Sequence, residues 1–388
     1  MIKIAFVIDT IDSPTAGTER QLLMLLKHLD RRQFDPYLCV LRSSAWLEQE
    51  FDLCPLHVAG IRSFKQLGSW RRLWRFARFL KREGIAIVQT HFRDSDIAGI
   101  IAARLAGTAA IIATRRNQGY WHKRGEVALK KLLSRRATVI IANSQSTKQW
   151  TAAVEGVPAE RIRVIHNGIE LEAYPGSDPV LRERCRRQLG LSGNTCCIGV
   201  VANLRPVKGI DVFLRAAAQV ARRVDDVRFL IAGEGEERAA LMRLAAELGL
   251  GGAVRFLGRR RDVPSLLAAF DIGVLSSHSE SFSNALIEYM AAGLPVVTTD
   301  VGGSREAVED GVSGFVVPVG DDHRMAEAII RIAEDRTEGL RMGQRGRRCA
   351  EQLFSSQSCI EKSEALYRAC GLSRVRDARQ VCRGGAQV

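Results

Sequence analysis

The sequence predicts an α/β protein made of two Rossmann-like, doubly wound domains facing each other across a cleft. Three observations lead there. The chain has 388 residues, beyond the size at which a single hydrophobic core keeps growing. Short, uninterrupted apolar runs rich in β-branched residues alternate with helical patterns, as expected for parallel strands covered on both faces. This alternation breaks once, near residues 174–195, and then restarts.

The first half begins with residues 2–8, an apolar run that leads through Asp9, Thr10, Asp12, Pro14 and Gly17 to Leu22, Leu23, Leu25, Leu26 and Leu29 at helical spacing. Strand, loop and helix are thus expected in succession. Residues 36–41, 85–90, 110–114 and 138–143 repeat the strand pattern, each beside a helical one. The break holds Pro175, Gly176, Pro179, Gly190 and Gly193 around a charged segment. Beyond it, residues 197–202, 227–232, 254–257, 272–275, 295–299 and 314–317 are the strand candidates, and from about residue 325 the pattern is helical. The expected division is residues 1–180 for the first domain and 181–353 for the second, followed by a helix over 354–372 and a polar, basic, flexible tail over 373–388.

Composition narrows the function. With 46% hydrophobic and 26% charged residues the chain is globular. Its longest weakly polar stretch, residues 97–114, is interrupted by Arg104, so no membrane span is expected. The start lacks the pattern of a secretory signal. Nine scattered cysteines show no metal-ligand spacing and suit a reducing cytosol. The net charge of +14 is concentrated early: residues 1–180 carry 27 Lys and Arg against 17 Asp and Glu, the remainder 30 against 26. Residues 62–82 contain Arg62, Lys65, Arg71, Arg72, Arg75, Arg78, Lys81 and Arg82 and no acid. There Trp70, Leu73, Trp74, Ala77 and Leu80 recur at helical spacing opposite the basic side, which suits an anionic membrane surface. The alternative is an ordinary helix packed on its own sheet. Nucleic acid is disfavoured because the basic stretch holds only two Trp and no ordered aromatic platform.

Several loops carry groups suited to a phosphorylated ligand. Gly17, where the first strand should turn into its helix, permits close backbone approach, although without the glycine spacing of a dinucleotide fingerprint. Asn203, Arg205 and Lys208 follow the first strand of the second half, and the two cations can surround a diphosphate whose charge grows as it leaves. A solvated lysine near a helix start is the plainer reading. Gly233 and Glu234 follow the next strand, as a nucleotide contact or a helix cap. Residues 278–288 form the strongest local pattern, with Glu280, Ser281, Phe282, Ser283, Asn284 and Glu288. Ser281 or Ser283 is expected to cap a helix through Glu288, whose carboxylate suits two vicinal ribose hydroxyls, while Glu280 suits the transferred sugar. A pair of surface glutamates is the competing reading. Ser304 lacks the partners of a hydrolytic nucleophile, and His91 at a strand's carboxyl end is a binding candidate or a plain loop residue.

With these residues the chain resembles the family 4 retaining glycosyltransferases, which have the GT-B fold. Glu280 and Glu288 with seven residues between them carry most of the resemblance, supported by residues 205–209 and 233–235. It extends from the Gly17 loop to the helices near Tyr367. The resemblance implies a nucleotide-diphosphate sugar as donor, held mainly by the second domain, and an acceptor held mainly by the first. It implies that Lys208 and Arg205 neutralise the diphosphate, Glu288 binds ribose, Glu280 with the Ser281–Phe282 turn positions the sugar, and Gly17 approaches the phosphates. No metal or other cofactor is expected. The last helix is expected to return to the first domain.

Two departures touch the assignment. Asn203 stands where the family often has Arg, leaving the second cation to Arg205. The family often has a histidine after the strand at 110–114, where this chain reads Arg115-Arg116-Asn117, so His91 or Asn117 is left for the acceptor pocket. A lipid-linked, lipopolysaccharide or exported-polysaccharide acceptor, reached from the inner face of the cell membrane, accounts for the basic first half. A GT-B-like nucleotide-sugar epimerase and a non-enzymatic nucleotide-sugar binding protein are the alternatives.

Overall fold

The structure is a computed structural model that describes residues 1–117, 124–176 and 178–372. The expected flexible tail at 373–388 lies outside the described residues. The chain divides into two compact units: Met1–Gly168 together with the segment from Ser356 onward form unit 1, and Ile169–Ser355 form unit 2.

Unit 1 contains a seven-stranded parallel sheet of β1 (Ile2–Ile8), β2 (Phe34–Val40), β3 (Leu56–Val58), β4 (Ile87–Thr90), β5 (Ala110–Arg115), β6 (Val139–Ala142) and β7 (Ile162–Val164), in the order β3-β2-β1-β4-β5-β6-β7. The unbroken apolar run of β1 has a physical cause. Ile4, Phe6 and Ile8 face a cluster with Leu22, Leu25 and Leu26, whereas Ala5 and Val7 face another with Leu73, Phe76 and Leu80. Helices therefore cover both faces. The edge strands β3 and β7, three residues each, were not expected from the pattern. Such short segments show no periodicity and owe their conformation to β2 and β6 beside them.

Helix Leu67–Arg82 corrects the expected apolar stripe. Leu73, Phe76, Ala77 and Leu80 are buried against the sheet, but Trp70 and Trp74 are 52% and 54% exposed. They share the outward face with Arg71, Arg75 and Arg78, and Arg78 lies 4.7 Å over the Trp74 ring. Phe76, not tryptophan, completes the inward spacing.

Unit 2 has six parallel strands, β8 (Cys196–Val201), β9 (Val227–Ala232), β10 (Val254–Gly258), β11 (Ile272–Leu275), β12 (Val296–Thr299) and β13 (Gly314–Val317), in the order β10-β9-β8-β11-β12-β13. Two strand glycines make room for aromatic rings. A Cβ on Gly199 would lie 1.7 Å from Phe270, and one on Gly273 would lie 2.5 Å from Tyr289. The Tyr289 hydroxyl in turn accepts the Val201 amide at 2.7 Å.

The unit boundary falls earlier than residue 180. Ile169 donates its amide to the Phe354 carbonyl at 2.8 Å, and buried Tyr174 packs in one cluster with Leu189, Phe270 and Phe354. Arg347 donates to the Tyr174 carbonyl at 2.6 Å. The Pro- and Gly-rich stretch thus lies within unit 2, where Asp178 caps helix Pro179–Gln188. Helix Ser356–Leu372 adds Ile360, Leu366, Tyr367 and Cys370 to a unit 1 core cluster. Tyr367 is fully buried with its ring edge-on to Phe6 and Phe34. A Cβ on Gly371 would lie 2.5 Å from Ile2, a close fit of the same helix against β1.

Candidate active site

In each sheet the strand order reverses once, between β1 and β4 in unit 1 and between β8 and β11 in unit 2. Connections leaving on opposite sides of the sheet open a crevice beyond the carboxyl ends at such a point. Asn203, Arg205, Lys208 and Glu280 follow β8 and β11 there, and His91 follows β4.

In unit 2, β8 leads through Asn203 and Arg205, both exposed, into a short 3-10 turn, Pro206–Lys208. Gly209 then reverses the chain at φ 58° and starts helix Ile210–Val220. Only glycine fits: a Cβ would stand 2.2 Å from the Ser276 carbonyl oxygen. The loop after β11 is tied to this turn, with Ser276 Oγ donating to the Lys208 carbonyl at 3.0 Å and the His278 amide to the Val207 carbonyl at 2.8 Å. Lys208 Nζ consequently lies 2.5 Å from Glu280 Oε1, which also accepts Ser277 Oγ at 3.0 Å. The lysine is not a solvated surface cation, since its side chain is 23% exposed and that of Glu280 is 14% exposed.

The glycine-rich loop after β12 supports this carboxylate. Gly302, at φ 51°, passes so near that a Cβ would be 2.3 Å from the Glu280 carbonyl oxygen, and the Gly303 amide donates to the Ser281 carbonyl at 2.9 Å. Glu288 is buried in helix Asn284–Ala291, so the two acids are not a surface pair. Ser283 occupies the N-cap position without a side-chain capping bond. The helix is already anchored by buried Leu286, Ile287 and Tyr289. The Phe282 ring is a core group, 5.2 Å from the Phe354 ring centre, which takes this ring out of ligand contact.

Gly233 is required by packing. At φ 147° a Cβ would be 1.8 Å from the Ala202 carbonyl oxygen, letting the exits of β8 and β9 run against each other. The Leu204 amide donates to the Glu234 carbonyl at 2.9 Å. The Glu234 carboxylate pairs with Arg238, and no side chain caps helix Arg238–Glu247, so the capping alternative is not realised.

In unit 1 a pocket of about 260 Å³ opens at the switch point, with Asp9, His91, Arg93, Arg116, Asn117 and Lys130 among its lining. The structure therefore brings His91 and Asn117 together. Gly17 stands at the exposed start of helix Gly17–His28 and does not line this pocket. Asp9, the first residue beyond β1, accepts the Ser95 amide at 2.8 Å. Burial and Asp94 push its carboxyl up to about 6, against the opposing pull of that amide. Burial, aided by the charge of Arg116, holds His91 down to about 3 and keeps its ring neutral. Its Nδ1 is buried without a hydrogen-bond partner among the described residues.

In the lining of the same pocket, Arg115 is buried between two carboxylates, 2.9 Å from Asp96 and 2.8 Å from Glu155. Burial opposes its charge, but the two acids outweigh it. Arg115 is thus committed to structure. Asp9 was the readable omission, an acid placed directly at a strand's carboxyl end. The Asp96–Arg115–Glu155 cluster had no local signal because its members are far apart in sequence.

Among the described residues, no helix is long and apolar enough to cross a membrane. Nor do three or more His, Cys, Asp or Glu side chains gather as a metal site there.

Comparison with known proteins agrees with this architecture. Residues 15–173 match the family described as Glycosyltransferase Family 4, and residues 182–349 match Glycosyl transferases group 1. The chain is 27% identical over 298 residues to the N-acetyl-alpha-D-glucosaminyl L-malate synthase of Bacillus anthracis, covering 76% of this chain and 77% of that one. It is 27% identical over 369 residues to the UDP-Gal:alpha-D-GlcNAc-diphosphoundecaprenol alpha-1,3-galactosyltransferase of Escherichia coli, covering 91% and 93%. It spans about half the length, 55%, of the D-inositol 3-phosphate glycosyltransferase of Saccharomonospora viridis, at 34% identity over 59% of this chain. Among solved structures, HepE of Anabaena in complex with UDP superposes with a TM-score of 0.84 at 26% identity, covering 95% of this chain and all of that one. Its complex with UDP-glucose gives 0.81. The chain is a GT-B-fold glycosyltransferase related to the family 4 and group 1 enzymes, and it draws its sugar from a nucleotide-sugar donor.

Proposed function

We propose that the protein transfers a sugar, with retention of anomeric configuration and without a metal, from a nucleoside diphosphate sugar to a lipid-linked saccharide acceptor. The observation that carries this reading is the Lys208–Glu280 pair at the switch point of unit 2. The donor diphosphate offers Lys208 a stronger anionic partner than one carboxylate and frees Glu280 for the hydroxyls of the transferred sugar. Lys208 and Arg205 then stabilise charge accumulating on the diphosphate as the anomeric C–O bond lengthens. Glu288 binds the ribose hydroxyls, the backbone of residues 281–284 receives phosphate oxygens, and Asn203, Gly233 and Glu234 border the nucleotide. For retention, the departing phosphate oxygen takes the acceptor proton on the face where the new bond forms.

The acceptor belongs to the unit 1 pocket, where the Asp9 carboxylate, His91 and Asn117 receive its hydroxyls. The exposed Trp70 and Trp74 beside Arg71, Arg75 and Arg78 suit the headgroups of an anionic membrane, so the enzyme works at the inner membrane face on a lipid-linked substrate. The relative named for GlcNAc-diphosphoundecaprenol is consistent with that class of acceptor. A panel of nucleotide sugars incubated with membrane lipid extract, followed by product mass and linkage analysis, tests the reading. It expects a lipid product with the donor's anomeric configuration. An inverted linkage, or conversion of the donor sugar without any acceptor, overturns it.

A further inference from the structure

We propose that Tyr367 on the returning helix fixes the tautomer of His91 through Gln89, so that His91 presents an Nδ1–H donor to an acceptor oxygen in the unit 1 pocket. The inference rests on assigning that pocket to the acceptor. Tyr367, Gln89 and His91 are all buried. The Tyr367 hydroxyl donates to Gln89 Oε1 at 2.8 Å, which turns the amide nitrogen toward the imidazole, 3.4 Å from His91 Nε2. An amide NH₂ only donates, so the ring nitrogen facing it carries the lone pair. The imidazole is neutral, for burial and Arg116 both oppose a second proton. Its single proton therefore sits on Nδ1.

That nitrogen is buried with no partner among the described residues, and His91 is among the residues that line the pocket. A buried N–H left unsatisfied is costly, so the position suits an oxygen supplied by a ligand. Phe6 holds the arrangement from the side, edge-on to Tyr367 at 6.1 Å and 6.5 Å from the His91 ring. Two consequences follow. His91 orients the acceptor oxygen by donating to it and does not remove the acceptor proton. Tyr367 and Gln89 are positioning residues, which links the returning helix to acceptor recognition as well as to the core.

The test combines a tautomer measurement with a binding measurement on the full chain. Nitrogen NMR of histidine-labelled protein, with His91 assigned by its loss in His91→Asn, is expected to show protonated Nδ1, bare Nε2 and no titration between about pH 5 and 8. In Gln89→Glu one carboxylate oxygen still accepts Tyr367 and the other accepts from the ring, which moves the proton to Nε2. Tyr367→Phe keeps the packing but frees the amide, so both tautomers appear. Binding of GlcNAc-diphosphoundecaprenol in detergent micelles is expected to weaken about tenfold in Gln89→Glu, the equivalent of one lost hydrogen bond, and less in Tyr367→Phe. An Nε2–H tautomer in the unaltered protein overturns the relay whatever the binding shows. The expected tautomers with no binding, or with binding unchanged by Gln89→Glu, overturn the acceptor contact and leave the relay standing.

Discussion

The two units share a strand order around their switch points and differ in how they use charge there. In unit 1 the central cation, Arg115, is buried and held by Asp96 and Glu155 in the lining of a pocket that also carries a neutral imidazole, the partly buried carboxyl of Asp9 and the cations Arg93, Arg116 and Lys130. In unit 2 Lys208 is partly exposed and has one carboxylate, Glu280, beside it. A cation enclosed by two acids fixes a fold, because taking it away strands buried charge. A cation with one partner near solvent can exchange that partner for a ligand. The same topology thus holds a cation locked between two acids in one unit and a cation with a single partner near solvent in the other.

The sharpest way to break this contrast is to remove each cation. Arg115→Met is expected to cost about 3–5 kcal/mol, leaving two buried carboxylates uncompensated. Urea unfolding measures it, and a loss below about 1 kcal/mol would show that the cluster is not structural. Lys208→Ala is expected to lower kcat about 10²–10³-fold while changing stability by less than about 1 kcal/mol. A variant with activity within a few fold of the parent would remove Lys208 from the chemistry.

Asp9 sharpens the comparison through pH. Its carboxyl ionises near 6 in the folded chain against an ordinary 3.8, so folding favours the protonated form. Below about pH 4 the group is neutral in both states; as pH rises through 6 the folded state must ionise it and stability falls, by about 1–3 kcal/mol. Asp9→Asn is expected to abolish that loss. Chemical unfolding at a series of pH values measures it, and parallel curves for the two proteins would refute the shift. The smallest effect per residue concerns the outer face of helix Leu67–Arg82. Replacing Arg71, Arg75 and Arg78 by Glu one at a time is expected to weaken sedimentation with anionic vesicles by about 1 kcal/mol each. Equal binding by parent and triple variant would exclude that face from membrane contact.

Sequence alone determined the two parallel-sheet units, because strands covered on both faces must be continuously apolar, and β1, β9, β11 and β13 have the predicted bounds. It also marked residues 205–209 and 280–288, where glycine and cations in one segment and two acids in the other stand close together in the chain. Tertiary structure alone decided that Arg115 meets Asp96 and Glu155, that Phe282 turns into the core, that Trp70 and Trp74 face outward, and that Tyr367 reaches Gln89. The division has a physical reason. Periodicity and turn chemistry act over a few residues and leave a local pattern, whereas a buried polar contact depends on partners brought together only when the sheet is complete.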